Sequence, residues 1–408
     1  MPIHIENEAA RCLRCKVPMC QKHCPVSTPI PMIVQLFRER KLMEAGQKLF
    51  ENNPMSVICA TVCNHEAQCA GHCVLGKKST PVQFYEIEKY ISDSWLDRMN
   101  PAPVDKKGKD VAVIGSGPAG MTVAMILARH GYSVTIFERK HYIGGMLRYG
   151  IPEFRLPKSV LDRYQRLLGK LGVRVRTATT IGGALKIEDL LRDGYASVFV
   201  GAGAWRPRTL GVPGECRANV HFGVSYLENA GNVDLGKTVA VIGMGNVAMD
   251  VARTAFRHGA EQVMLFSRDN SATASSHEMS YANLDGADFI YGKQIVRITS
   301  DGPVFRESIL DETGQVVGCS EEETLVPADS VIIAISQRPK DKLLLSTDHL
   351  EGTAKGLLVV DENNMTTVDG VFAAGDVVTG PLTVVHAVEG AKQAAEAMMR
   401  YMENAPKR

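Results

Sequence analysis

The sequence predicts an α/β chain in which an N-terminal α-helical domain precedes two Rossmann-like domains. Three observations carry that expectation. Eight of the ten cysteines lie between Cys12 and Cys73, in a stretch with helical periodicity and no Rossmann pattern. Two strand–glycine turn–helix–strand patterns open at Asp110 and Thr238, about 128 residues apart. The chain has 408 residues, too many for a single hydrophobic core, so two or three domains are expected.

In the helical part, Ile33, Leu36, Phe37, Leu42 and Leu49 recur at helical spacing over residues 33–49, and residues 84–96 read as another helix. Asn100 to Lys109 is polar and Pro-rich, which marks a linker. The first βαβ unit follows: a strand over 110–114, a glycine turn, a helix over 121–130 and a strand over 133–138. The second copy places its strand at 238–242, its helix at 247–258 and its second strand at 262–268. Further strands are expected at 196–200 and 330–334, and residues 371–399 read as strand, turn and helix.

Composition narrows the function classes. Forty-six basic residues against 45 acidic ones give a net charge of +1, without the basic excess of a nucleic-acid binder. The longest apolar stretch, 111–128, is broken by Gly115, Gly117, Pro118 and Gly120, so no membrane span is expected. The polar residues 1–10 hold no apolar signal core. A cytoplasmic location follows, where thiols stay reduced.

The first glycine turn reads Gly115-Ser-Gly117-Pro118-Ala119-Gly120, and Glu138 ends the next strand. Glycines allow a tight turn and close approach to a pyrophosphate, the helix N-terminus supplies N–H donors, and the acidic residue can accept ribose hydroxyls. The second turn reads Gly243-Met-Gly245-Asn246-Val247-Ala248, with Ala in a place that still permits close helix–strand packing. Two such turns point to two dinucleotides, most economically a flavin and a nicotinamide. A third piece, Ala373-Ala-Gly375-Asp376, precedes Pro381-Leu-Thr383 and a helix. Its Asp can bind a polyol hydroxyl, and the helix can aim its N-terminus at a flavin ring.

The cysteines read Cys12-x2-Cys15-x4-Cys20-x3-Cys24-Pro25, then Cys59-x3-Cys63-x5-Cys69-x3-Cys73. Thiolates suit iron or zinc. Zinc ribbons use C-x2-C twice, which this chain does not repeat, whereas a closing Cys-Pro is a bacterial ferredoxin feature. Counting residues alone gives two 4Fe–4S clusters with four cysteines each.

Over essentially its whole length the chain resembles the family of glutamate synthase small subunits. That family's relatives include the flavoprotein part of dihydropyrimidine dehydrogenase and the large subunit of NADH-dependent ferredoxin:NADP oxidoreductase. Both cysteine runs, GSGPAG, the segment 144–157 (GGMLRYGIPEFRLP), GMGNVAMD and AAGD with PLTVVHAV carry the resemblance. It implies one cluster on Cys12, Cys15, Cys20 and Cys73, and a second on Cys24, Cys63, Cys69 and Glu88, with Cys59 a spectator. It also implies that Gly144, Gly145 and the segment from Arg148 lie beside the flavin ring. Users of NADPH in the family offer several arginines after the second strand of the nucleotide domain. Here only Arg268 matches and Asp269 would repel a 2′-phosphate, which favours NADH over NADPH.

The expectation is therefore an N-terminal α-helical iron–sulfur domain (residues 1–105) followed by two Rossmann-like domains. The FAD domain (106–232 and 346–408) holds the NAD(P) domain (233–345) as an insertion. FAD would be bound by Gly115, Gly117, Pro118, Ala119, Gly120, Glu138, Gly144, Gly145, Arg148, Gly375, Asp376 and Thr383. Gly243, Gly245, Asn246, Val247 and Arg268 would bind the nicotinamide nucleotide. No protein acid or base is expected, since hydride transfer needs none. The partner would be an electron-accepting catalytic subunit or a ferredoxin, making a hetero-oligomer.

Overall fold

Six helices open the chain in the computed structural model, which describes residues 4–404. They are α1 (Ile5–Arg11), α2 (Met19–Lys22), α3 (Ile30–Arg38), α4 (Leu42–Asn52), α5 (Ser56–Val62) and α6 (Phe84–Arg98). The periodic segment 33–49 is two helices rather than one. The break falls at Glu39–Lys41, where Arg40 takes a left-handed φ of 59°, a conformation that no α-helix continues through. Ile33, Leu36, Leu49, Phe84, Ile87 and Ile91 share one apolar core with Cys69. On α6 the buried residues Phe84, Ile87, Glu88, Ile91, Ser92 and Trp95 follow helical spacing, so the carboxylate of Glu88 sits on the inward stripe.

The next elements are β1 (Asp110–Ile114), α7 (Pro118–Arg129), β2 (Ser133–Phe137), α8 (Met146–Tyr149), α9 (Lys158–Lys170), β3 (Arg174–Arg176), α10 (Ile187–Arg192) and β4 (Tyr195–Val200). Then come β5 (Arg206–Pro207), β6 (Val220–Phe222), α11 (Gly223–Glu228), β7 (Thr238–Ile242), α12 (Asn246–Arg257), β8 (Gln262–Phe266), α13 (Ser276–Leu284) and β9 (Asp288–Ile290). An antiparallel layer follows: β10 (Lys293–Thr299), β11 (Gly302–Leu310), β12 (Val316–Cys319) and β13 (Thr324–Leu325). The chain closes with β14 (Ser330–Ile333), β15 (Gln337–Arg338), α14 (Lys342–Ser346), β16 (Val371–Ala373), α15 (Asp376–Thr379) and α16 (Val384–Asn404).

Two compact units divide these elements. One gathers residues up to Arg148, residues 153–204 and residues from Pro339 onward; the other takes residues 149–152 and 205–338. In the first, five parallel strands stand in the order β16-β4-β1-β2-β3. The six helices at the start belong to this same unit. Tyr164 on α9 donates to the Pro54 carbonyl across a buried 2.9 Å bond, and Lys392 on α16 reaches Asn52 at 3.0 Å. In the second unit the parallel order is β6-β14-β7-β8-β9. That unit begins at 205 rather than 233 because β6 pairs with β14, carrying its flanking chain into this sheet.

Both parallel sheets are buried on two faces, which explains their continuous apolar strands. Along β7, Val239 and Val241 face a core with α12, while Ala240 and Ile242 face Phe305, Ile295 and Ile298 of the antiparallel layer. Alternation of side chains across a strand accounts for this division.

Candidate functional site

The cysteines form two overlapping sets by the charges they feel. Cys12 interacts with Cys15 and Cys73, and Cys20 with Cys73, Cys12 and Cys15. Cys24 interacts with Glu88, and Cys63 with Cys59, Glu88 and Cys69. Cys69 bridges the two sets: it feels Glu88, Cys24 and Cys20, and it lines one cavity with Cys12, Cys15, Cys20 and Cys73. Burial is the main cause that raises the thiols of Cys12, Cys20, Cys24 and Cys69, with Cys20 pushed up to about 11. Glu88 is 7 % exposed, and burial, then Cys59, pushes its carboxyl well above the usual range. Burial in this way favours the neutral, protonated form of each group.

Backbone N–H groups already face several sulfurs: Arg14 at Cys12, Gln21 at Cys20, Val26 and Thr28 at Cys24, Ala70 at Cys69. The Val82 N–H lies 3.5 Å from the sulfur of Cys73. Such donors stabilise the thiolates of iron–sulfur sites. Among the described residues no three His, Cys, Asp or Glu side chains converge on a point that could hold a single metal ion. Cys59 is a different case. It is buried on α5 and hydrogen-bonds Cys63 and Asn53; the bond to Cys63 lowers its pKa and raises that of Cys63.

In the first parallel sheet the glycine turn sits between β1 and α7. Gly115 has a φ of 95°, and a Cβ there would lie 2.5 Å from the Gly201 carbonyl oxygen. A Cβ on Gly120 would lie 2.0 Å from the Gly115 carbonyl oxygen, whereas one on Gly117 would meet nothing within 4 Å. The turn is thus packed hard at two glycines and open at the third, where a pyrophosphate would approach. Pro118 and Ala119 start α7 behind it.

The other expected residues converge on this turn. The Gly144 N–H donates to the Ser116 carbonyl at 3.0 Å. A Cβ on Gly145 would sit 2.8 Å from the Gly117 Cα, and one on Gly375 would sit 3.2 Å from the Ala119 Cβ. Glu138 is buried, and its Oε2 accepts the Ser116 N–H at 2.9 Å and the Ser116 hydroxyl at 2.6 Å. Oε1 accepts the Lys140 N–H at 2.7 Å. A carboxylate has about four acceptor positions, so one stays available for a ribose hydroxyl. Ser116 is a positioning residue that sequence reading missed, since the variable place in G-x-G carries no signal. Arg148 is engaged by its own surroundings: it donates to the Ile143 carbonyl at 2.8 Å and to Asp162 at 2.5 Å, and stacks over Tyr142. Thr383 precedes α16, its hydroxyl 2.7 Å from His386 Nδ1.

Asp376 accepts one long bond, from the Leu382 N–H at 3.3 Å. Burial raises its pKa from 3.8 to about 6. Between those values the folded chain holds more protons than the unfolded one. The resulting contribution is most favourable below pH 3.8 and is lost as pH rises through about 6, at a cost of roughly 3 kcal/mol by neutrality. Hydroxyl donors of a bound polyol would offset that cost. In the ligand-free protein, Asp376→Asn is expected to raise stability at pH 8 by up to roughly 3 kcal/mol and to have little effect below pH 4. Urea melts at both pH values test this; equal effects at the two would refute it.

In the second unit Gly245 caps α12, and Gly243 packs against the Ala334 carbonyl. Asn246 Oδ1 accepts the Ser275 N–H at 2.9 Å, and the Thr273 and Ala274 N–H groups donate to the Met244 carbonyl. A loop at 273–275 is therefore pinned against the glycine turn, a wall that sequence reading did not identify. Val247 packs partly into the core behind. Arg268 is 71 % exposed, with its Nε 3.7 Å from an Asp269 oxygen.

Comparison with known proteins agrees with this architecture. Residues 109–391 match the family described as "Pyridine nucleotide-disulphide oxidoreductase", and residues 2–100 the one described as "Dihydroprymidine dehydrogenase domain II, 4Fe-4S cluster". The glutamate synthase [NADPH] small chain of Azospirillum brasilense is 35% identical, over 97% of this chain and 88% of that protein. The NAD-dependent dihydropyrimidine dehydrogenase subunit PreT of Escherichia coli is 32% identical, over 98% and 94%. Among solved structures, FprA from Mycobacterium tuberculosis in complex with NADPH shares the fold, at 17% identity with a TM-score of 0.61 over 73% of this chain and 85% of that one. No helix among the described residues is long and apolar enough to cross a membrane. A cysteine-rich domain that matches a 4Fe–4S family, joined to two dinucleotide-type sheets, places this chain in the family of glutamate synthase small chains and PreT-type subunits, pyridine nucleotide-linked flavin and iron–sulfur oxidoreductases.

Proposed function

We propose that this chain is the electron-input subunit of a cytoplasmic hetero-oligomer. With its cofactors bound, the chemistry is hydride transfer from NADH to FAD, then single-electron transfer through two 4Fe–4S clusters to an electron-accepting catalytic subunit or a ferredoxin. The observation that carries the reading is the gathering of the N-terminal thiols and the buried Glu88 in one helical body, several of the sulfurs faced by backbone N–H donors.

Cys12, Cys15, Cys20 and Cys73 would hold one cluster, and Cys24, Cys63, Cys69 and Glu88 the other, with Cys59 orienting Cys63. A carboxylate ligand gives the second cluster a potential different from that of an all-thiolate site. Gly115, Gly117, Pro118, Ala119 and Gly120 would present N–H donors to the FAD pyrophosphate, and Glu138 would accept a ribose hydroxyl. Asp376 would accept a hydroxyl of the flavin side chain. Gly144, Gly145, Gly375 and Thr383 would line the remaining flavin contacts, and Arg148 would brace the 144–148 segment through Asp162. Gly243, Gly245, Asn246 and Val247 would cradle the nicotinamide nucleotide. Arg268 would face its ribose, where the neighbouring Asp269 disfavours a second phosphate. The printed names "small chain" and "subunit" of the relatives support a partner chain.

The test is native purification with iron and sulfide analysis, followed by dye reduction with each nucleotide. About eight irons per chain are expected for two clusters. NADH is expected to exceed NADPH at least tenfold in kcat/KM, and Asp269→Arg is expected to narrow that gap. Zinc in place of iron, or a preference for NADPH, would overturn the corresponding part. A protein that elutes as a lone chain and turns over a ferredoxin would instead be a stand-alone ferredoxin:NAD(P) oxidoreductase.

A further inference from the structure

We infer that the surface around Cys12, Cys15, Cys20 and Cys73 is the docking face for a one-electron carrier, a protein or domain with an acidic surface. The inference rests on the reading that these cysteines hold a cluster.

Charge is the first observation. Residues 11–25 and 67–82, which enclose these cysteines, contain six Lys or Arg and no Asp or Glu. Arg11 is taken up by Glu8 at 2.8 Å. Arg14, Lys16, Lys22, Lys77 and Lys78 are exposed, and among the described residues none of the five forms an ion pair. Glu39, the acidic group that feels Arg14, is already held by Lys41 and Gln35. Five exposed cations therefore stand in the two segments that carry these cysteines, in a chain whose net charge is only +1.

Apolar exposure is the second. Leu13 is 62 %, Val17 57 %, Met19 37 % and Val74 37 % exposed. Leu13, Met19 and Val74 line the same cavity as Cys12, Cys20 and Cys73. Exposed apolar side chains that line one cavity with the sulfur ligands, in segments that also carry the exposed cations, offer a small dry contact with charge close by. That arrangement suits brief docking: the cations steer an oppositely charged partner and fix its orientation, and the apolar side chains exclude water at closest approach. A nucleic acid would use the cations but would leave the apolar side chains in water.

The probe is an acidic plant-type [2Fe–2S] ferredoxin, with a basic cytochrome c as the opposite-charge control. Binding of each to the oxidised holoprotein is measured by calorimetry at low and high salt. For the ferredoxin the Kd is expected to weaken at least tenfold in Lys22→Glu/Lys77→Glu and by a similar factor at high salt. A matched double change on other surfaces, Lys237→Glu/Lys355→Glu, is expected to leave it within twofold. Iron content and flavin bleaching by NADH should match wild type in both variants. Ferredoxin binding insensitive to the first pair and to salt, or tighter binding of cytochrome c, would overturn the docking face while leaving the cluster assignment standing. Protein that holds no iron and gives no cluster EPR signal on reduction would overturn the underlying reading, whatever it binds.

Discussion

Replacing Cys20 with Ser is expected to remove about half of the bound iron and to slow electron delivery to a protein acceptor at least a hundredfold. Reduction of the flavin by NADH should change less than twofold. Cys20 is set among Cys12, Cys15 and Cys73, and burial raises its thiol to about 11. A proton leaves such a thiol at neutral pH only if a metal takes its place, and a serine hydroxyl, far less acidic and a harder donor, replaces it poorly. Cys59→Ala is the informative contrast. Its sulfur bonds Cys63 and Asn53, so the change should keep the full iron content and alter only the second cluster's potential. Equal iron loss in both variants would show that Cys59 is a ligand and remove Glu88 from that role. Iron and sulfide analysis with EPR on reduced protein reads all of these outcomes.

Gly120→Val is expected to cost about 3 kcal/mol or more and to yield protein without flavin. The Cβ alone would lie 2.0 Å from the Gly115 carbonyl oxygen and 3.2 Å from a methyl of Val113. Relief by retreat of Gly115 is blocked, because that residue is itself packed on the Gly201 carbonyl. Gly117→Ala separates packing from ligand contact. Its added methyl meets nothing within 4 Å, and the residue's φ of −69° is ordinary for alanine. Stability within about 1 kcal/mol of wild type is therefore expected, together with weakened flavin retention. Thermal melts and flavin release on dilution measure the two effects; a Gly117→Ala protein that keeps its flavin fully would show that the open space faces solvent.

Much of this was legible because the informative residues are local. The turns at 115–120 and 243–248 each sit between an apolar strand and a helix, so both parallel sheets could be anticipated from short windows. The antiparallel strands β10 to β13 escaped notice, since β10 and β11 mix buried apolar residues with charged ones, β12 and β13 are only four and two residues long, and all are held by pairing with one another. The start of the second unit was misplaced for a related reason. β6 is three residues long and half-buried, and only its distant partner β14 identifies it as a strand. The kink at Arg40 left no mark either, since Glu39, Arg40 and Lys41 are ordinary helix residues. Glu88 is a special case. Nothing in its neighbourhood separates a ligand from a solvated carboxylate, and only the position of α6 turns it inward.

One topological detail has a further meaning during synthesis. β16 lies at the edge of the first sheet, beside β4, and α16 packs on α7, yet both come from residues 371–404, after the whole second sheet. A ribosome that has reached Arg338 has made every strand of the second sheet. The first sheet at that moment still lacks its border strand, the aspartate at 376 and the long helix behind it. The inserted body can therefore be finished before residues 371–404 are made, whereas the pocket at 115–120 is walled in only once they are.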